Sequence, residues 1–210
     1  MSVIAIDTAR RASAWVLRAA ADGTVGERRE LPGGELDRCL PGAVAEVLAA
    51  DLEAVVVLTG PGSYSGVRAG MAAALGLAQA RRVPLHGLGN LAAVAAIAGS
   101  AAGARFRAVA DAGRGGVYVA SFERRGVEVA QVSPVWRVTA TGIDRSQPLF
   151  ATTSIAGLDT ELIDAVRALA AAVPRALAAP ALEMGGLSAI HAGDKPLGPA
   201  TLGFPISRPR

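Results

Sequence analysis

Two short strand-like runs in this chain lead into an acid. Val3-Ile4-Ala5-Ile6 leads into Asp7-Thr8, and the run from Arg105 to Ala110 leads into Asp111. A buried strand that ends this way delivers a carboxylate, and at Asp7-Thr8 a hydroxyl beside it, to one edge of its sheet. Between the two lies Gly60-Pro61-Gly62-Ser63, joining the β-branched run Leu52–Leu58 to a helical stretch. A glycine-rich turn from strand to helix aims backbone N–H groups, with the helix dipole behind them, at negative charge. Asp7, Thr8, Gly62, Ser63 and Asp111 are the candidate cofactor-binding residues, and weak ones. Lys195 is the only lysine, so the glycines do not belong to a P-loop. Each acid also has a local reading: Asp7 capping neighbouring N–H groups, and Asp111 sitting in a turn after a strand.

Other chemistries find less support. A zinc site needs several converging ligands, but His86 and His191 are far apart in sequence and Cys39 has no neighbouring ligand. Ser63 stands in Gly-Pro-Gly-Ser, not in the Gly-x-Ser-x-Gly of a nucleophile elbow. No catalytic residue and no metal site is expected. A single cysteine cannot form an intramolecular disulfide, which suits a reducing compartment. The first residues lack the basic region of a secretory signal, and no uncharged apolar run reaches the roughly 20 residues of a membrane span. The expected location is cytoplasmic, away from membranes. A net charge of +3 invites a nucleic-acid reading. The arginines, however, come in dispersed pairs such as Arg10-Arg11 and Arg124-Arg125, the pattern of a solvated surface.

The elements that must position these residues are legible. Met1–Ile6, Ala12–Ala19 and Thr24–Leu31 read as strands, with Asp22-Gly23 as a hairpin turn between the last two. Glu35–Ala50 has the apolar spacing of a helix, flawed at Pro41, which could instead start it. Leu52–Leu58 is a strand, Val67–Ala80 a helix capped by Ser63 or Ser65, Val83–Gly87 a strand and Asn90–Ala98 a helix. After Gly99–Gly103 the pattern restarts with strands at Arg105–Ala110, Val117–Glu123 and Val127–Val132. Pro148–Thr152 then reads as a strand, Asp159–Val173 as a helix, and Ala176–Ile190 as a helix broken at Gly185-Gly186. The proline-rich tail Asp194–Arg210 is expected to be extended or disordered. The restart predicts an α/β protein of two related subdomains, residues 1–102 and a smaller 103–210, each with a mixed sheet and flanking helices. This is the plan of the actin, Hsp70 and sugar-kinase superfamily, which holds ATP in the cleft between its halves. Asp7-Thr8 resembles that superfamily's Asp-x-Gly-Thr loop without its glycine, and glycine is what lets the backbone close on a phosphate.

In the helix after the glycine turn, Gly66, Gly70, Ala74 and Ala78 recur every four residues, with Ala69 and Ala73 on the next row. Such a face admits another helix closely, or packs on the chain's own sheet; a helix can do both on different faces.

The string Gly60-Pro61-Gly62-Ser63-Tyr64-Ser65-Gly66-Val67-Arg68-Ala69-Gly70, with Ala5-Ile6-Asp7-Thr8 before it and Leu75-Gly76-Leu77-Ala78, Asp111-Ala112 and Val117-Tyr118 after it, resembles the TsaB (YeaZ) family. The resemblance departs at Glu35, where the family often carries histidine, and at Gly113, where it usually carries arginine. It implies a non-catalytic scaffold for forming N6-threonylcarbamoyladenosine at position 37 of tRNA. It further implies pairing with a TsaD paralogue, joined by the ATPase TsaE, homodimers when alone, tRNA reached only through the complex, and no cofactor beyond weak Mg-ATP. The implied partner contacts lie on the helix after the glycine motif: Tyr64, Gly66, Arg68, Gly70, Ala73, Ala74 and Leu77. The competing function is an ATP-dependent small kinase or carbamoyl transferase of the same superfamily.

Overall fold

The computed structural model describes residues 1–99, 101 and 103–183. The chain starts with β1 (Ser2–Asp7), β2 (Ser13–Ala20) and β3 (Val25–Pro32), then α1 (Leu36–Val47), β4 (Leu52–Leu58), α2 (Tyr64–Arg81), β5 (Leu85–Leu88) and α3 (Asn90–Ile97). The five strands form one sheet in the order β3-β2-β1-β4-β5. β1 is antiparallel to β2 and parallel to β4, and all six of its residues are buried, as an apolar run at the centre of a covered sheet must be. At the expected hairpin, Gly23 has φ +89° and Asp22 Oδ1 accepts the Thr24 N–H at 2.8 Å.

Helices α1 and α2 lie side by side on one face of this sheet. Leu36, Leu40, Val44 and Val47 of the first pack with Ala74, Leu77 and Ala78 of the second over Ile4, Ile6, Val55 and Val57. Pro41 lies inside α1 and does not start it. It is exposed, and its missing N–H deprives only the Asp37 carbonyl of a partner, which solvent can satisfy.

A second set of strands follows: β6 (Arg105–Gly113), β7 (Gly116–Arg125), β8 (Glu128–Gln131), β9 (Trp136–Thr139), β10 (Leu149–Ala151) and β11 (Glu161–Leu162). Their sheet runs β11-β10-β6-β7-β8, with β9 also paired to β7. β6 repeats the situation of β1, antiparallel to the next strand and parallel to a later one, and it carries Asp111 two residues before its end. Two sheets on one plan, each with flanking helices, make this the actin-like α/β fold that the restart predicts. Phe106 stacks on Phe122 with centroids 6.0 Å apart and meets Phe150 edge-on at 5.5 Å, so three aromatics anchor the second core.

The helix read at Asp159–Val173 begins later. Asp164 accepts the Arg167 N–H at 2.8 Å and caps α4 (Ala165–Ala178), while Glu161–Leu162 form the short strand β11. α4 leaves the second sheet and returns to the first, laying Val166, Leu169, Ala172, Val173 and Ala176 on Val3, Ala5, Leu17, Val56 and Leu58. Packing thus crosses the sequence position 102/103. Of the stretch read as a helix at Ala176–Ile190, Ala176–Ala178 close α4, while residues 184–190, with Gly185-Gly186, and His191 and the tail Asp194–Arg210 lie outside the described residues.

α3 is apolar all round, and both sides are used: Ala93 faces the first core, whereas Leu91, Val94 and Ala95 face Phe106 and Phe122. Its C-terminus is held by Arg124, which donates from Nε to the Gly99 carbonyl at 2.8 Å and from Nη2 to the Ala98 carbonyl. One arginine of a supposedly solvated pair is therefore a helix cap.

On the second sheet, Ser146 N–H, the Arg107 guanidinium and the Ser146 hydroxyl all favour ionised Asp144, holding its carboxyl at about 2 against the usual 3.8. A folded value below the unfolded one adds stability that is complete above about pH 4 and lost as pH falls towards 2. Carboxyl NMR titration is expected to place the Asp144 midpoint near 2; a midpoint at the ordinary value would mean that this clasp is open in solution.

Candidate functional site

The strand ends of the two sheets meet in a small polar cleft. The loop after β1 contributes Arg10 and Arg11, the start of α3 Asn90, the end of β6 Asp111, and the segment after β10 Thr152, Thr153 and Ser154. The cavity has a volume of about 160 Å³. Asp111, in β6, lines this cleft, whereas Asp7, the last residue of β1, does not line it and reaches it only through its pair with Arg10.

Asp7 is not free to hold a metal ion. It is 2% exposed, and its Oδ1 accepts the Ala9 N–H at 2.9 Å. Its Oδ2 lies 3.1 Å from Nη2 of Arg10, itself only 7% exposed. The pair is ionic but misaligned for a hydrogen bond, and Arg10 Nε has no acceptor among the described residues. Asp111 is engaged more loosely, accepting the Gly113 N–H at 2.8 Å and standing 3.4 Å from Nε of the half-exposed Arg11.

The glycine turn is closed as an anion cradle. The Ser63 N–H donates to the Ala9 carbonyl at 2.7 Å, and the Ser63 hydroxyl accepts the Gly66 N–H at 3.4 Å as the cap of α2. Asn90 N–H donates to the Gly60 carbonyl at 2.6 Å and Asn90 Nδ2 to the Pro61 carbonyl at 3.2 Å. Gly62 is required by this stitching, because a Cβ there would overlap the Ala9 carbonyl. Gly62→Ala is expected to cost about 1–3 kcal/mol in urea unfolding, as overpacking does; an unchanged midpoint would show that the turn sits away from the β1 loop.

The small-residue stripe of α2 faces inward. A Cβ at Gly66 would overlap the Thr8 carbonyl, and one at Gly70 would overlap Thr8 Oγ1. Thr8 is fully buried there, its hydroxyl without a partner among the described residues. Gly66, Gly70, Ala74 and Leu77 are buried against the chain's own core, so these four expected partner contacts offer no surface. Likewise Thr8, Ser63 and Gly62 are occupied by packing, and of the five expected cofactor-binding residues only Asp111 lines the cleft.

Of the remaining expected contacts, Ala73 is half-buried, whereas Tyr64 is 74% exposed, with the Arg68 guanidinium 5.3 Å from its ring centre. Their outward row continues through Ala72, Gly76 and Gln79, all exposed. Sequence reading missed Arg10, Arg11 and Asn90. Only the spacing of Arg10 three residues after Asp7 hinted at a pair.

His86 is buried on β5 with Nδ1 3.2 Å from the Ala179 carbonyl, where it ties the chain after α4 to the sheet edge. Among the described residues no three His, Cys, Asp or Glu side chains converge, and no helix is long and apolar enough to cross a membrane.

Fold and cleft define an actin-like α/β protein in which the acid that ends β1 is neutralised from within by Arg10. Residues 42–185 match the family model for tRNA N6-adenosine threonylcarbamoyltransferase, TsaD. TsaB of Escherichia coli K12, described as a tRNA threonylcarbamoyladenosine biosynthesis protein, is 38% identical over 132 residues, 59% of this chain and 56% of that protein. An uncharacterized protein of Mycobacterium leprae is 34% identical over 167 residues, covering 70% of this chain and 45% of the other. YeaZ from Pseudomonas aeruginosa superposes with a TM-score of 0.66 at 21% identity, over 88% of this chain and 96% of that one. The chain belongs to the TsaB (YeaZ) family. It spans about half the length of the curated relatives it matches.

Proposed function

We propose that this chain is a non-catalytic subunit in N6-threonylcarbamoyladenosine formation on tRNA, pairing through the outer surface of α1 and α2 with a TsaD-like paralogue. Family membership supports the pathway. The surface is supported by one observation: Gly42 on α1 and Gly76 on α2 are exposed, point away from the sheet, and have open space where a Cβ would stand. Glycine inside a helix costs about 1 kcal/mol relative to alanine. Nothing in the packing of the described residues needs these two glycines, whereas a second pair of helices approaching closely does. Ala45 and Ala72 extend the bare surface, and Tyr64 with Arg68 stands at its rim as an aromatic anchor.

Coexpression with the TsaD homologue of the same source is the test. A stable complex is expected, with a TsaE-like ATPase joining only once the pair has formed, and homodimers of the chain when it is alone. Transfer RNA is reached through that complex, so the isolated chain is expected to lack the steep salt-dependent tRNA affinity of a direct binder. Failure to copurify under conditions where both proteins are folded would defeat the reading.

A further inference from the structure

The cleft between the sheets is rich in donors and poor in free acceptors. Arg10 is more than nine-tenths buried and lines the cavity; its Nη2 is turned to Asp7, and its Nε has no acceptor among the described residues. Arg11 stands at the same wall, and Thr152, Thr153 and Ser154 bring hydroxyls from the other sheet. Both carboxylates are already served, Asp7 by Arg10 and the Ala9 N–H, Asp111 by Arg11 and the Gly113 N–H. Such a set has little to offer a cation and much to offer an oxyanion, which can accept from guanidinium and hydroxyl together.

Size narrows the ligand. Pockets for cofactors and drug-sized ligands run to about 300–1,000 Å³, so the 160 Å³ here is on the scale of a small anion rather than of a whole nucleotide. Arg11 can be recruited cheaply, because its pair with Asp111 is half exposed and such pairs contribute little. We propose that the cleft binds a small oxyanion of the size of inorganic phosphate, without a metal ion, in a role separate from pairing.

The test is calorimetric titration of the full chain with inorganic phosphate at constant ionic strength, alongside Mg-ATP. Saturable binding at one site is expected, indifferent to magnesium. Arg11→Gln is expected to weaken it about tenfold, the loss of a charge-assisted hydrogen bond. Asp111→Asn is expected to tighten it, because that change releases Arg11 and removes a repelling charge; a metal-nucleotide site would respond in the opposite direction. Both side chains are partly exposed, so the variants should keep the fold, and thermal melts check this. Absence of saturable phosphate binding, unchanged affinity in Arg11→Gln, weaker binding in Asp111→Asn, or Mg-ATP binding tenfold tighter than phosphate would each overturn the proposal.

Discussion

Gly76→Arg is expected to abolish association with the TsaD-like partner while leaving the monomer's unfolding midpoint within a few degrees of the parent. The side chain would enter open space on the outer row of α2, so the monomer gains a better helix former and loses no contact. A partner helix packed on that row would meet a long charged group where close approach requires none, and the complex would have to bury the charge or open a gap. Gly70→Arg is the instructive control. One turn and a half earlier on the same helix, even a single Cβ overlaps Thr8 Oγ1, so this change is expected to unfold the first sheet. Sedimentation with and without the partner separates the two outcomes. Intact pairing in Gly76→Arg would move the interface off these helices.

The second large effect concerns the ion pair beneath the cleft. Asp7→Ala is expected to cost about 3–5 kcal/mol, because it strands the Arg10 guanidinium without a counter-charge in a nearly dry site and removes the acceptor of the Ala9 N–H. A domain of ordinary stability has about 5–15 kcal/mol in all, so the variant should be marginal. Replacing both partners, as in Asp7→Leu with Arg10→Met, should recover much of the loss, since a buried pair removed whole takes its desolvation cost with it. Urea unfolding of the three variants decides the matter. A cost below about 1 kcal/mol would mean that Asp7 is not bound into the fold, and would revive the rival reading as an ATP-dependent kinase or carbamoyl transferase with Asp7 at a magnesium ion.

Most of the first sheet could be read from residues 1–98 because its signals were local. A β-branched run gave β4, Asp22-Gly23 gave the hairpin, and Ser63 gave the cap of α2. The second half was harder for physical reasons. β9 and β11 have four and two residues, too few for any period to emerge. The start of α4 was misplaced because Asp159 and Asp164 are equally good caps in isolation, and only the pairing of Glu161–Leu162 with β10 chooses between them. The direction of the small-residue stripe was not legible either. α2 carries small residues on both its inner row (Gly66, Gly70, Ala74) and its outer row (Ala72, Gly76), so periodicity finds a bare helix without saying which side meets the sheet. Thr8, sixty residues away in sequence, decides it. The state of Asp7 was similarly hidden, since an acid and a base three residues apart are a pair only if the loop between them folds back.

The return of α4 has a consequence for how the molecule is made. The first sheet is complete in sequence by Leu88, yet the face formed by Val3, Ala5, Leu17, Val56 and Leu58, which α3 reaches through Ala93, lacks its main cover until Ala165–Ala178 has been synthesised. At about 5–20 residues per second, a growing chain on the ribosome carries that incompletely covered apolar face for on the order of ten seconds. Over that interval the nascent sheet exposes apolar surface of the kind that makes folding intermediates prone to aggregate.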